Sequence, residues 1–437
     1  MPENVASLVG FRDENSVREA IDQCEGFASL KPGDKVLIKP NLVGWDAQGP
    51  FPPWGVLTTS RVVEGICMAL TDAGAGDIRI AEGSVQCKTI GSSTAVIYKN
   101  LGYRKLTERY GAKLIDLNEE EHEKIEIAEG HEVKATSQAR ECDFLINVPV
   151  LKTHGQTIVS LGIKNLKGLL DSRSKMYCHH PDGLLNRFVS HLPSLFPPSL
   201  TIIDGVYALE QGPLHFGRAH RMNLLIASTD VYAADLVGAN IIGYDVDHVE
   251  HLRLWAERSG RSKVFKEIDI RGNLEPEEIR KPLKWDWEWA PDNSGPNAFA
   301  RRGIKGIFLP KYDDTLCTGC SYMYNPLMLM LLSSEKKEFE RCEFLSGKRM
   351  EPSGRAQKTF LFGKCQCSKN KDHPACGEVI EIKGCPPSLE RMEQILRQNG
   401  IPVDRKAYDQ YRSHVMNRYL KDPETFPLRD FYLDEIP

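Results

Sequence analysis

Residues 34–43, DKVLIKPNLV, form an apolar run that breaks at Lys39-Pro40-Asn41, and they read as a buried strand running into a loop. Residues 61–76, RVVEGICMALTDAGAG, place apolar side chains at helical spacing and end in glycines, so an amphipathic helix follows. Residues 77–85, DIRIAEGSV, give a second strand with a glycine turn. Strand, helix, strand in that order is a βαβ unit, whose crossover makes its two strands parallel. The alternation continues outward. Residues 100–118 add a helix and a strand. DFLINVPVLKTHG (143–155) is a strongly apolar run ending in a polar cluster, as a buried strand would. Residues 199–213 and 221–245 supply two more strands, the second followed by a helix. The expected fold class is α/β, a mostly parallel open sheet with helices on both faces across residues 1–270.

Residues 271–301 break the pattern. Four prolines and three close tryptophans fall within 275–303, with no sustained period, which reads as a connection whose rings pack against the domains. Residues 302–400 resume as KGIFLPKYDDTLCTGC (305–320), KTFLFGKC (358–365) and EVIEIKGCPPSLERMEQILRQNG (378–400). That spacing predicts a small three-stranded α/β unit with a cysteine motif at each strand end. Residues 401–437 are polar with scattered aromatics and read as a tail on the surface.

The composition narrows the function classes. A chain of 437 residues with 41% apolar side chains can bury substantial cores. A formal net charge of −4 provides no basic field for nucleic acid, and no nucleic-acid partner is expected. The longest apolar stretch, PLMLMLLSS, is too short to span a bilayer, and the N-terminal residues lack a secretory signal. A cytoplasmic placement without membrane contact is expected. Five of the twelve cysteines are scattered before residue 300, while seven fall between Cys317 and Cys385. That clustering favours metal ligation in a reducing compartment over disulfides. The scattered Cys24, Cys67, Cys87, Cys142 and Cys178 are expected to be small buried hydrophobes.

Cys317-Thr-Gly-Cys320, Gly363-Lys364-Cys365 and Gly384-Cys385-Pro386-Pro387 each lie where an apolar run ends. Functional loops gather at strand ends in an open α/β sheet. Four thiolates meeting there would hold an iron–sulfur cluster or a zinc ion. Gly363 and Gly384 leave room for the backbone to approach a bulky inorganic core. Cys367, Cys376 and His373, in the same stretch, are candidates for a second metal, and either cysteine is an alternative to Cys365. His179 and His180 beside Cys178 are a further candidate ligand group.

These three motifs, in this order, resemble the proximal-cluster site in the small subunit of nickel–iron hydrogenases and its relative in respiratory complex I. The resemblance covers roughly residues 302–400. It implies a half-flavodoxin-like iron–sulfur module with a 4Fe–4S cluster on Cys317, Cys320, Cys365 and Cys385.

Polar clusters also end the N-terminal strands. Lys39-Pro40-Asn41, Lys152-Thr153-His154 and the run Gly162–Gly168, with Lys164 and Lys167, would form one cationic cleft suited to a small anionic substrate or cofactor. Asp204 and Glu210 would bring acids to the same rim. In this reading Lys39, Asn41, Asp204 and Glu210 bind, while His154, Lys152, Lys164 and Lys167 do the chemistry, since lysines beside carboxylates make acid–base pairs. Neither a GxxxxGK[ST] loop nor a GxGxxG fingerprint is present.

IKPNLV, DFLINVPVLKTHGQTIVSLGIKNLKGLLD, IIDGVYALEQGP and STDVYAADLVGANIIGYD resemble the domain-of-unknown-function 362 family over roughly residues 34–255. That likeness implies a shared fold, an anion-binding cleft and a frequent association with iron–sulfur modules. The family is distantly similar to the N-terminal domain of nickel-pincer lactate racemase. The resulting expectation is a 4Fe–4S reductase that takes electrons from a soluble donor such as a ferredoxin. Assembly as a homo-oligomer is compatible with it. An electron-delivery or maturation protein and a non-redox epimerase-like enzyme with structural zinc are the alternatives.

Overall fold

The βαβ unit read at residues 34–85 is present: strand Lys35–Pro40, helix Ser60–Asp72 and strand Asp77–Glu82 follow one another. Its two strands pair in parallel, with Ile38 opposite Ile80. The computed structural model describes residues 4–212 and 214–434. It divides into two units. The first comprises residues up to Tyr177, Asn186–Asp286 and the chain from Met416; the second comprises Cys178–Leu185 and Trp287–Val415.

Strands of the first unit are β1 (Val5–Gly10), β2 (Lys35–Pro40), β3 (Asp77–Glu82), β4 (Lys113–Asp116), β5 (His122–Ala128), β6 (His131–Thr136), β7 (Phe144–Val148), β8 (Val150–His154), β9 (Ile158–Val159), β10 (Leu200–Glu210), β11 (Arg218–Ser228) and β12 (Asp269–Gly272). Ten of them form one sheet with path β12-β1-β11-β10-β7-β2-β3-β4, and β8 and β9 branch from β10. The sheet is mostly parallel, as the alternation requires. Val36, Leu37, Ile38, Ile80, Phe144 and Ile146 are all buried, so the central strands read as continuous apolar runs.

β11 departs from the parallel pattern. It runs antiparallel to both β10 and β1, because the short connection after Glu210 folds the chain back as a hairpin. β5 and β6 form a separate antiparallel pair. The C-terminal segment corrects the expectation of a surface tail. Phe431 and Tyr432 are buried, and Trp54 packs against Tyr419, Phe426 and Phe431. Ser60 Oγ donates to the Phe431 carbonyl at 2.6 Å, and the Tyr207 hydroxyl donates to Asp430 at 2.6 Å. Tyr419, Phe426, Phe431 and Tyr432 of that stretch pack into the first unit, while Tyr408 is buried in the second.

The second unit carries a four-stranded parallel sheet in the order β13 (Lys305–Phe308), β14 (Glu338–Leu345), β15 (Lys358–Phe362), β16 (Glu378–Ile382). Three strands were expected. The fourth, EFERCEFL, hides its period behind charges at its exposed end, yet Cys342, Glu343, Phe344 and Leu345 are buried. Among the described residues no helix is long and apolar enough to cross a membrane.

Candidate functional site

In the second unit the three cysteine motifs follow β13, β15 and β16, at the carboxyl ends of parallel strands. Cys317 caps the N-terminus of helix Thr318–Ser333, which carries Cys320 in its first turn, where backbone N–H groups favour thiolate charge. Cys365 lies in the first turn of helix Gly363–Asn370, which starts directly at the end of β15 where a loop was expected. Cys385 lies in the loop between β16 and helix Leu389–Gln398, whose N-cap Ser388 accepts from the Arg391 N–H.

The three loops touch. The Lys364 N–H donates to the Gly384 carbonyl at 2.8 Å. A Cβ placed on Gly363 would lie 3.2 Å from the Cys320 sulfur, and one on Gly319 would lie 3.5 Å from Pro386. The Cys320 thiol is held well above the usual thiol range, first by its hydrogen bond with Cys317, then by burial and by charge on Cys317, Cys385 and Cys365. Burial also raises Cys365, which Cys317 and Cys385 raise further while Lys348 and Lys364 pull it down. The three loops thus bring the four cysteines to one end of the parallel sheet. Cys365 and Cys385 are exposed, and Cys317 and Cys320 half-buried.

The remaining candidates do not join them. Cys367 is buried, with its sulfur on the Leu361 carbonyl, and Cys376 bonds the Asn370 carbonyl. His373 accepts from the Ala375 N–H and faces Glu351 at 3.7 Å. His179 bonds the Asp314 carbonyl at 2.8 Å, and His180 pairs with Asp182. Of the scattered cysteines, Cys142 is half-buried and the other four are buried. Among the described residues no three His, Cys, Asp or Glu side chains close around a single ion.

Gly363 has φ +86°, a conformation that costs a side-chain-bearing residue about 1–2 kcal/mol. Gly363→Ala is therefore expected to lower the melting temperature and to push Cys320 from its place. A melting curve unchanged from the parent would show that this backbone is not constrained.

In the first unit, parallel-strand ends bring together a different set. Lys39 and Glu82 form a buried ion pair at 2.9 Å. Glu82 also accepts from the N–H groups of Leu42 and Gly83, while Lys39 donates to the Pro40 carbonyl at 2.7 Å. Gly168 is required beside them, because a Cβ there would lie 2.3 Å from Lys39 Cε. Lys152, fully buried, donates to Asn41 Oδ1 at 2.6 Å and to the Val56 carbonyl at 2.7 Å. Asn41 in turn donates to Asn165, Asn165 to Asn147, and Asn147 to the Gly162 carbonyl, each within 2.9–3.0 Å. Lys175 donates to the Gly83 carbonyl at 2.6 Å.

Burial brings the Lys152 ammonium down to about 7, with Lys39 lowering it further and Glu82 and Asp204 acting in the opposite sense. Burial likewise brings Lys175 down to about 8, with Lys39 and Lys167 lowering it further and Glu82 opposing. Asp204 is raised to about 6 by burial, against hydrogen bonds from the N–H groups of Thr59 and Val206. Lys39, Asn41, Lys152, Lys167 and Asp204 thus share one buried neighbourhood with Glu82 and Lys175, which the sequence reading did not name.

Three further predicted residues have partners outside this network. Lys164 is half-buried and acts on His251, whose imidazole burial depresses to about 3. Glu210 pairs with His220 at 3.2 Å in the β10–β11 hairpin. His154 ends β8 with its Nδ1 accepting from the Gln156 N–H at 3.1 Å.

The Lys152 shift has a stability consequence. Between about 7 and the ordinary lysine value of about 10.4, the unfolded chain holds a proton that the folded one has lost. Stability therefore rises with pH across that window and levels off as pH drops below about 7. Denaturant unfolding is expected to show the protein more stable at pH 9 than at pH 7, with Lys152 contributing on the order of 2 kcal/mol. Lys152→Met should remove that part of the slope. An identical slope in the variant would place the titration elsewhere.

Comparison with known proteins agrees with the first unit's residues. The model of the "Domain of unknown function (DUF362)" family matches residues 36–240. The thylakoid-associated protein sll1697 of Synechocystis is 30% identical over 236 residues, 53% of this chain and 70% of that protein. The lactate racemase apoprotein of Thermoanaerobacterium thermosaccharolyticum is 15% identical with a TM-score of 0.33, covering 54% of this chain and 58% of that one, a likeness that carries no argument about activity. With its strand-end motifs, its matched span and this relative, the chain belongs to the domain-of-unknown-function 362 family.

Proposed function

We propose that this protein is an iron–sulfur redox protein of the reductase type. A 4Fe–4S cluster would be held by Cys317, Cys320, Cys365 and Cys385, and it would accept electrons from a soluble donor such as a ferredoxin. The observation that carries the reading is the contact of three strand-end loops that bear four cysteines, through the Lys364 N–H on the Gly384 carbonyl and Gly363 against the Cys320 sulfur. Four cysteine sulfurs gathered at one end of the sheet are the ligand set that a 4Fe–4S cluster takes. Four cysteine ligands would also serve a single zinc, with Zn–S of about 2.3 Å, so metal content decides between the two.

When bound, such a cluster supplies one-electron transfer. The chain's own residues do the rest. Helix N-termini at Cys317 and Gly363 favour negative sulfur. Lys348 and Lys364 add positive charge beside Cys365, which favours the reduced centre. In the first unit, Lys152 is poised to give or take a proton near neutrality, which suits the reduction of a small anion. Lys39 and Lys175 keep the region positive, and Glu82 holds Lys39 in place.

Lys152 also favours a second reading. A lysine near 7 among carboxylates is equipped for proton abstraction without electrons, as an epimerase would need. Anaerobic reduction separates the two. The redox reading expects visible absorbance near roughly 400 nm that dithionite bleaches and air or an oxidant restores. A colourless protein with no reducible centre would leave only the proton-transfer reading.

A further inference from the structure

A groove of about 570 Å³ opens on the face that carries Cys385, lined by Lys364, Cys367, Ser368, Lys371, Glu381, Lys383, Gly384 and Cys385. Lys364, Lys371 and Lys383 are exposed, and all belong to the two loops and the helix that position Cys365 and Cys385. Glu381 is the one carboxylate in the lining; it is half-buried and paired with Lys383 at 3.0 Å. Lys371 has Asp372 at 3.8 Å, so its charge is partly offset, while Lys364 has no such acid in the lining. The balance facing solvent is positive, on a chain whose total formal charge is −4. A local patch of opposite sign to the whole molecule orients an incoming partner, because steering acts through the near field within a Debye length of about 8–10 Å.

We propose that this lysine-lined groove is the docking surface for an acidic iron–sulfur electron donor, with Cys385 of its lining at the point of closest approach. The proposal rests on the redox reading above and names its partner by surface charge. The step is a single electron leaving the donor's reduced centre and reaching the centre at the four thiols; the donor is oxidised, and no bond is made or broken. Electron-transfer encounters are small and charge-guided, and a groove with three ammonium groups fits that scale.

The test uses the full chain after anaerobic cluster reconstitution, and the double variant Lys371→Gln/Lys383→Gln prepared in the same way. The probe is an acidic 2Fe–2S ferredoxin, reduced and mixed rapidly with each protein. Methyl viologen radical, a small cation that needs no docking patch, is the control reductant. The proposal expects a bimolecular rate with ferredoxin at least about ten-fold lower in the variant at low salt, and a parent rate that falls steeply as salt rises. The variant's iron content and its rate with viologen should match the parent. Unchanged ferredoxin rates with iron intact would overturn the docking surface and leave the cluster standing. Parent protein that takes up no iron would overturn the redox reading, and the docking proposal with it.

Discussion

Cys385→Ala is expected to purify without iron and without the absorbance near roughly 400 nm that the parent shows, whereas Cys342→Ala should keep both. The contrast follows from position. Cys385 is exposed in the loop after β16 and acts electrostatically on Cys320 and Cys365. Cys342 is buried on β14, opposite Lys358 of the next strand, where its sulfur is part of the sheet's packing. Removing one of the four proposed thiolate ligands would leave an iron corner of the proposed cluster without its ligand, and such clusters are lost or converted. Anaerobic iron and sulfide analysis of the two variants side by side checks this. Full iron occupancy in Cys385→Ala would show that the ligand set is wrong.

Glu82→Gln is expected to destabilise the first unit by about 3–5 kcal/mol, because it leaves the buried Lys39 ammonium without its counter-charge. Glu82 receives three donors, from Lys39, Leu42 and Gly83, and it also acts on Lys152 and Lys175. An amide cannot accept from all of them, and its own NH2 would face donors. Replacing the pair together, as Lys39→Met/Glu82→Leu, should recover much of the loss, since a packed apolar pair needs no desolvation. Denaturant unfolding of the single and double variants measures both. A loss below about 1 kcal/mol in Glu82→Gln would mean that the pair is not the organising element of the network.

The strand-end rule explains what could be read from the letters alone. Lys39 and Asn147 stand opposite each other in the β2–β7 register, so the polar residues closing these apolar runs were bound to meet. The same rule applies to Glu82, the last residue of β3, but attention to cations passed over the single acid that gathers them. Lys175 lies on the short polar helix Ser172–Tyr177, and its reach to the Gly83 carbonyl is a tertiary fact with no local signature.

Lys164 and Glu210 have neighbours that the strand-end rule does not foresee. Gly162–Asn165 is a helical turn and not a strand end, with Lys164 half-buried on it and Lys167 buried in the short helix that follows. β10 runs eleven residues, carrying Glu210 roughly 20 Å beyond Asp204 along the strand and into the hairpin with His220. The cysteine motifs were legible because each combines a strand end, a glycine and a thiol. The C-terminal aromatics were not, since Phe426 and Phe431 find their partner Trp54 from more than three hundred residues away.

The most direct test is quantification of iron, acid-labile sulfide and zinc in the full-length protein purified or reconstituted without oxygen. The account expects about four iron and four sulfide per chain, a visible band that dithionite bleaches, and no stoichiometric zinc. One zinc per chain bound by these cysteines, with neither sulfide nor a visible band, would contradict it.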